Sequence, residues 1–204
     1  MRETTDRVSA YSDSVFGVIV TIMVLQLRPP ASPHISALYA LWPTAVSYVV
    51  SYVFIAIIWV NHHHLMRFVK TPTQSLIWTN FLHLFFVSLL PFTTEWMAKT
   101  RLATVPVMAY AGLFVCADGL DNIFERQILE GATDIDDRGR RLARIRALLA
   151  LVLFGSAVLG ALIQPWIGFS LVCAALVLHL QPDVRSIPFT RRVSLHTEVK
   201  RINR

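Results

Sequence analysis

The chain has 204 residues, 54% of them hydrophobic and 16% charged, with 8 Gly, 10 Pro and 2 Cys. Its mean hydropathy is +0.53, whereas an average soluble domain carries about 25% charged residues and disorder needs low hydrophobicity. Soluble, disordered, collagen-like and disulfide-scaffold chains are therefore excluded, and the formal net charge of +6 belongs to a helical membrane protein.

One spanning helix takes about 20 apolar residues, and six apolar stretches follow one another along the chain. They run over 9–27, 36–60, 75–94, 104–124, 142–163 and 166–180. In the second, Pro43 is expected to kink the helix or mark its first turn. The sixth is short, and Gln164-Pro165 makes a tight turn before it. There is no internal repeat, and the linkers are too short for a second domain. The expectation is one all-α domain over 1–204, an integral membrane protein with six transmembrane helices and a basic tail over 181–204.

Lys and Arg set the orientation. Two precede the first stretch, two lie in 61–74, six in 125–146 and six beyond 180, so 16 of the 19 fall on one side. Arg28, Lys99 and Arg101 are the three on the other. Both termini are expected in the cytoplasm, which demands an even number of spans. Trp59, Trp78, Trp96 and Trp166 fall near span ends, as an aromatic belt requires. The positive charge thus reads as an orientation signal, with anionic lipid as a partner for the tail and no nucleic acid. Arg28-Pro29-Pro30 is a poor cleavage site, so the first stretch is expected to stay attached. Cys116 and Cys173 read as small apolar fillers. The 125–146 segment, with five acids and six bases, is expected to be a solvated turn.

Ionisable residues inside spans mark functional or network sites by default. Asp118, Asp121 and His179 sit near the cytoplasmic ends, where water is close. His83 is expected to be buried and hydrogen-bonded. Asp13 is either a helix cap or a carboxylate about a turn inside the first helix that needs a partner. Arg7, Trp59, His62, His63, His64 and Asn80 lie at the same depth as candidates. The three adjacent histidines invite a metal reading, but they point about 100° apart on a helix, and no metal site is expected.

The first stretch is apolar nearly all round, and its small and hydroxyl residues choose its face. With Ser14 as origin and about 100° per residue, Val18, Thr21 and Leu25 share one stripe with Ser14, and Ile22 lies at its margin. In a monomer this is ordinary packing. Around an axis of several subunits it is a lining of hydroxyl and aliphatic rings, of the kind that gates by dewetting.

The segment Arg7-Val8-Ser9-Ala10-Tyr11-Ser12-Asp13 resembles the R-x-x-x-F-S-D signature of the transmembrane protein 175 family of potassium channels, with Tyr11 in place of Phe. Trp59-Val60-Asn61-His62-His63-His64 resembles the stretch closing that family's second helix. Asn80 and Ser88-Leu89-Leu90-Pro91-Phe92 resemble its third. The likeness covers about 7–94 by motif and the remainder by topology.

The resemblance implies a homotetramer in a prokaryotic inner membrane, conducting monovalent cations passively with K⁺ preferred. It implies no cofactor beyond the permeant ion, no enzymatic chemistry and no T-V-G-Y-G filter. The helix over 9–27 would line the pore, with Val18, Ile22 and Leu25 as the aliphatic constriction and Ser14 and Thr21 as hydroxyl rings. Arg7, Tyr11, Ser12, Asp13, Trp59, His63, His64 and Asn80 would form the network holding that helix. Tyr11 adds a hydroxyl that needs a partner, and Val18 is smaller than the usual residue at the first constriction. Three rivals stand beside this reading. A proton-coupled secondary transporter would need broken midplane helices or a repeat. A membrane metalloenzyme would need an acid or nucleophile constellation. A proton channel would pass current without K⁺.

Overall fold

The computed structural model describes residues 2–130 and 137–180. Among these, the chain forms helices α1 (Arg2–Leu25), α2 (Ile35–Tyr39), α3 (Trp42–Met66), α4 (Gln74–Ser88), α5 (Leu90–Lys99), α6 (Thr104–Glu130), α7 (Asp137–Ile163) and α8 (Pro165–Leu180), and no strand. Five stretches are long and apolar enough to cross a membrane, with α4 and α5 counted as one rod over Gln74–Lys99. The sixth, α8, has 16 residues and is shorter, as its sequence suggested.

Local chemistry explains the boundaries. Pro43 sits in the first turn of α3, where its missing N–H leaves no bond unmade. The Thr73 side chain caps α4 by accepting from the Leu76 N–H at 3.2 Å. Pro91 opens α5, and without an N–H it cannot continue the ladder of α4. The third stretch is therefore two helices jointed at Leu89, where one was expected. At the end of α5 the Leu102 N–H reaches the Met97 carbonyl at 2.9 Å. This closure holds Arg101 and Leu102 at φ 52° and 60°, a left-handed conformation that non-glycine residues adopt only under constraint.

Two more expectations are corrected. Helix α1 begins at Arg2, well before the apolar run, and carries Glu3 in its first turn, where the dipole favours an acid. The 125–146 segment is largely helical: α6 runs to Glu130 and α7 starts at Asp137, through residues of high helix propensity. The tail over 181–204 lies outside the described residues.

The core sits between α1, α3, α4, α5, α6, α7 and α8. Phe54 and Phe114 stack at its centre with centroids 3.9 Å apart, and Phe154 meets Phe54 edge-on at 6.1 Å. In lipid, apolar burial gives no net drive for helix association, so close packing and polar bridges hold the bundle. Both are visible. The Ser51 hydroxyl lies 2.7 Å from Thr94 Oγ1 and 2.7 Å from the Tyr110 hydroxyl, tying α3, α5 and α6. Helix α8 turns back on α7 after the single residue Gln164. A Cβ at Gly168 would stand 2.6 Å from Ala161 Cβ and 2.7 Å from the Ala157 carbonyl oxygen, so only glycine permits this approach.

Candidate functional site

Helix α1 has one buried face and one free face. Ser12, Phe16, Ile19 and Met23, spaced as a helix stripe, are each 3% exposed or less and pack on α3, α4 and α5. Opposite them, Ser14, Gly17 and Thr21 are exposed, and Val18, Ile22 and Leu25 are exposed by 57%, 44% and 76%. The five residues of the expected stripe thus share the free face. Gly17 joins them, and a Cβ there would meet nothing within 4 Å. The Ser14 hydroxyl donates to the Ala10 carbonyl at 2.7 Å, and the Thr21 hydroxyl to the Gly17 carbonyl at 2.8 Å.

The buried face is held by a polar network. Asn80 of α4, 1% exposed, donates through Nδ2 to Ser12 Oγ of α1 at 2.9 Å. Its Oδ1 lies 3.0 Å from His62 Nε2 of α3. Ser12 passes its own hydrogen to the Val8 carbonyl at 3.0 Å. One turn of sequence away, the Trp59 indole N–H donates to Asp13 Oδ1 at 2.8 Å. Asp13 lies about three turns inside α1, so it caps nothing. It is the partnered carboxylate, and Trp59 is the partner.

The histidines divide as three adjacent helical residues must. His62 is buried, with its ring 5.2 Å from the Phe124 ring and 5.8 Å from that of Phe16. His63 stacks on Trp59 at 5.6 Å and lies 3.1 Å from the Arg67 guanidinium. His64 is exposed. The bond to Asn80 therefore runs through His62, where the expected network had His63 and His64. The signal was available: Ser51, Ile55, Ile58 and His62 follow the buried period of α3, one face of one helix. Arg7 is exposed and makes no ion pair among the described residues. Tyr11 is half-exposed and meets Phe81 edge-on at 5.2 Å.

The remaining ionisable residues differ from expectation in burial. Asp118 and Asp121 are 3% and 4% exposed, away from water. Asp118 receives Asn122 at 3.1 Å and lies 3.0 Å from His179 Nε2 of α8. His83 is buried as expected, but neither ring nitrogen bonds to a described group. Cys116 and Cys173 are both free thiols. No group of three or more His, Cys, Asp or Glu suited to a metal is present among the described residues.

Comparison with known proteins places this arrangement. Residues 7–91 match the family model described as "Endosomal/lysosomal potassium channel TMEM175". A relative from Chryseobacterium sp., "Potassium channel HX13_20290", is 29% identical over 184 residues, covering 89% of this chain and 95% of its own. The mouse "Endosomal/lysosomal proton channel TMEM175" is 30% identical over 98 residues, covering 42% of this chain and 20% of its own. Among solved structures, a lysosomal potassium-selective channel TMEM175 homolog from Chamaesiphon minutus superposes with a TM-score of 0.75. It shares 24% identity, over 87% of this chain and 96% of that one, which establishes a common fold. The matched segment spans the helix with the free face, both of its polar tethers and the α4–α5 joint, and over it the chain is similar to the TMEM175 channels.

Proposed function

We propose that the chain is one subunit of a K⁺-permeable cation channel in a prokaryotic inner membrane, with both termini cytoplasmic. Four copies place the free face of α1 around a central axis. The carrying observation is the division of α1. One side is tied into the bundle by Ser12 and Asp13. The other presents Ser14, Val18, Thr21, Ile22 and Leu25 to nothing within the subunit. An apolar helix so tethered on one face has its free face available for copies of itself. The family is one of ion channels rather than enzymes, and the Chryseobacterium relative's name supports potassium as the ion.

In this reading ions enter past Ser14 and meet successive rings of Val18, Thr21, Ile22 and Leu25. Passage through the aliphatic rings requires partial dehydration, which costs less for K⁺ than for Na⁺, so selectivity is modest. The test is ion flux from vesicles reconstituted with purified protein, in K⁺, Na⁺ and Cs⁺. Fast, unsaturable flux favouring K⁺, raised and less selective in Ile22→Asn or Leu25→Asn, is the expected result. Unchanged flux in both variants would refute this constriction.

A second reading, proton permeation, is favoured by the mouse relative's name. It is distinguished by current under a pH gradient with K⁺ replaced by an impermeant cation.

A further inference from the structure

Where α1 ends, α3 begins and α5 ends, the three helix tips flank a partly open cavity of about 170 Å³. It lies far along α1 from the Ser12 and Asp13 tethers and is not part of the network described above. Its inner wall is apolar, with Met23, Leu41 and Ala98 among the lining residues. Its rim carries Arg28, Glu95 and Lys99. Lys99 is paired with Glu95 at 2.6 Å, while Arg28 is exposed and makes no ion pair among the described residues. The rim therefore has an excess of one positive charge, on a guanidinium with its donors open.

The depth of the cavity is marked by tryptophans. Trp42, next to the lining residue Leu41, stacks on Trp166 with centroids 5.3 Å apart, and both rings are more than 40% exposed. Trp96 stands two residues before the lining residue Ala98. Such rings settle where acyl chains give way to headgroups. An apolar hollow at that level, under an unpaired planar cation, matches one kind of molecule. Its chain fills the hollow, and its phosphate accepts the guanidinium fork bidentately.

We propose that this cavity is a binding site for an anionic phospholipid, seated in the leaflet opposite the termini. Arg28 holds the headgroup phosphate, Lys99 stands beside it, and Met23 and Leu41 line the top of an acyl chain. The proposal rests on the membrane-spanning reading of the bundle but not on conduction. A lipid seated there touches the last turn of α1, so its presence bears on the outer end of the proposed pore helix.

The experiment titrates detergent-purified protein with phosphatidylglycerol and with phosphatidylcholine, and counts bound lipid by native mass spectrometry. Phosphatidylglycerol is expected to be retained in preference to phosphatidylcholine. Arg28→Gln is expected to weaken that retention about five-fold, the value of one basic residue at a lipid surface. Arg101→Gln, a cation on the same side but outside the cavity, should leave retention unchanged. Thr44→Trp, which fills the hollow and leaves the rim charges in place, should abolish it. Retention in Arg28→Gln at the wild-type level would overturn the proposal. So would equal retention of the two lipids, or equal loss in Arg101→Gln, which would reduce the effect to general charge. No lipid on wild-type oligomer would mean that a neighbouring subunit fills the cavity, and would also overturn it. Ion flux measured on the same preparation reads the channel separately: absent flux with phosphatidylglycerol retained sinks conduction and leaves the lipid site standing.

Discussion

Replacing Asn80 with alanine removes the residue that joins α1 to both α3 and α4. Asn80 makes two buried side-chain hydrogen bonds, to Ser12 Oγ at 2.9 Å and His62 Nε2 at 3.0 Å. The losses are unequal. Ser12 still donates to the Val8 carbonyl, so it forfeits only an accepted bond. His62 is left with neither nitrogen bonded, because its Nδ1 has no partner among the described residues to begin with. One newly orphaned buried group costs about 1–3 kcal/mol, and a further bond inside a membrane bundle is worth roughly 0.6 kcal/mol. The expected loss is about 2–3 kcal/mol, read from reversible unfolding in a denaturing-detergent titration. His62→Ala and the double variant complete a cycle, whose coupling energy should be about 1 kcal/mol or more. A change below about 0.5 kcal/mol in Asn80→Ala, with no coupling, would refute the claim that this network anchors α1.

Other outcomes follow from the packing. Gly168→Ala places a methyl within 2.6 Å of Ala161 Cβ and 2.7 Å of a backbone oxygen. It should cost about 3 kcal/mol or fail to assemble, checked by monodispersity and thermal melting in detergent, since backbone cannot yield as a side-chain tip does. Ser51→Ala breaks both 2.7 Å hydroxyl bonds yet leaves Thr94 donating to the Leu90 carbonyl at 2.7 Å. Because the buried Tyr110 hydroxyl loses its partner among the described residues, a loss of about 2 kcal/mol is expected in the same titration. Arg101→Gly relieves the left-handed φ of 52° and should raise stability by about 1 kcal/mol, with flux unchanged.

Apolar stretches of about spanning length are visible to hydropathy, and α6, α7 and α8 lie close to where the sequence puts them. The expected 36–60 helix is instead divided into α2 and α3, and α3 runs on to Met66, so that His62, His63 and His64 lie inside it. Features that depend on single bonds are less visible. The apolar run continues smoothly across Leu89, and only the missing N–H of Pro91 divides it. The polar beginning of α1 carries no hydropathy signal, so Asp13 reads as only about a turn or more inside a helix where it lies about three turns in. The free face of α1 was legible because hydroxyl and small residues recur at helical spacing. The choice of His62 over His63 and His64 was harder. Helix α3 is apolar on every side, and its buried face is marked by small serines rather than by contrast in polarity.

The two hydroxyls on the free face of α1 have one more property. A hydroxyl has a single hydrogen and two lone pairs. In Ser14 and Thr21 that hydrogen is already engaged by the helix's own carbonyls. What each can still offer outward is its lone pairs. From Ser14 to Leu25 the helix carries no charged side chain, yet its free face has a sign, set by the direction of two hydrogen bonds. In the proposed pore, chloride finds no hydrogen to accept at either ring, while a cation finds oxygen at both. Discrimination between anions and cations then arises without an acidic residue, and so without a group that titrates as the surrounding pH changes.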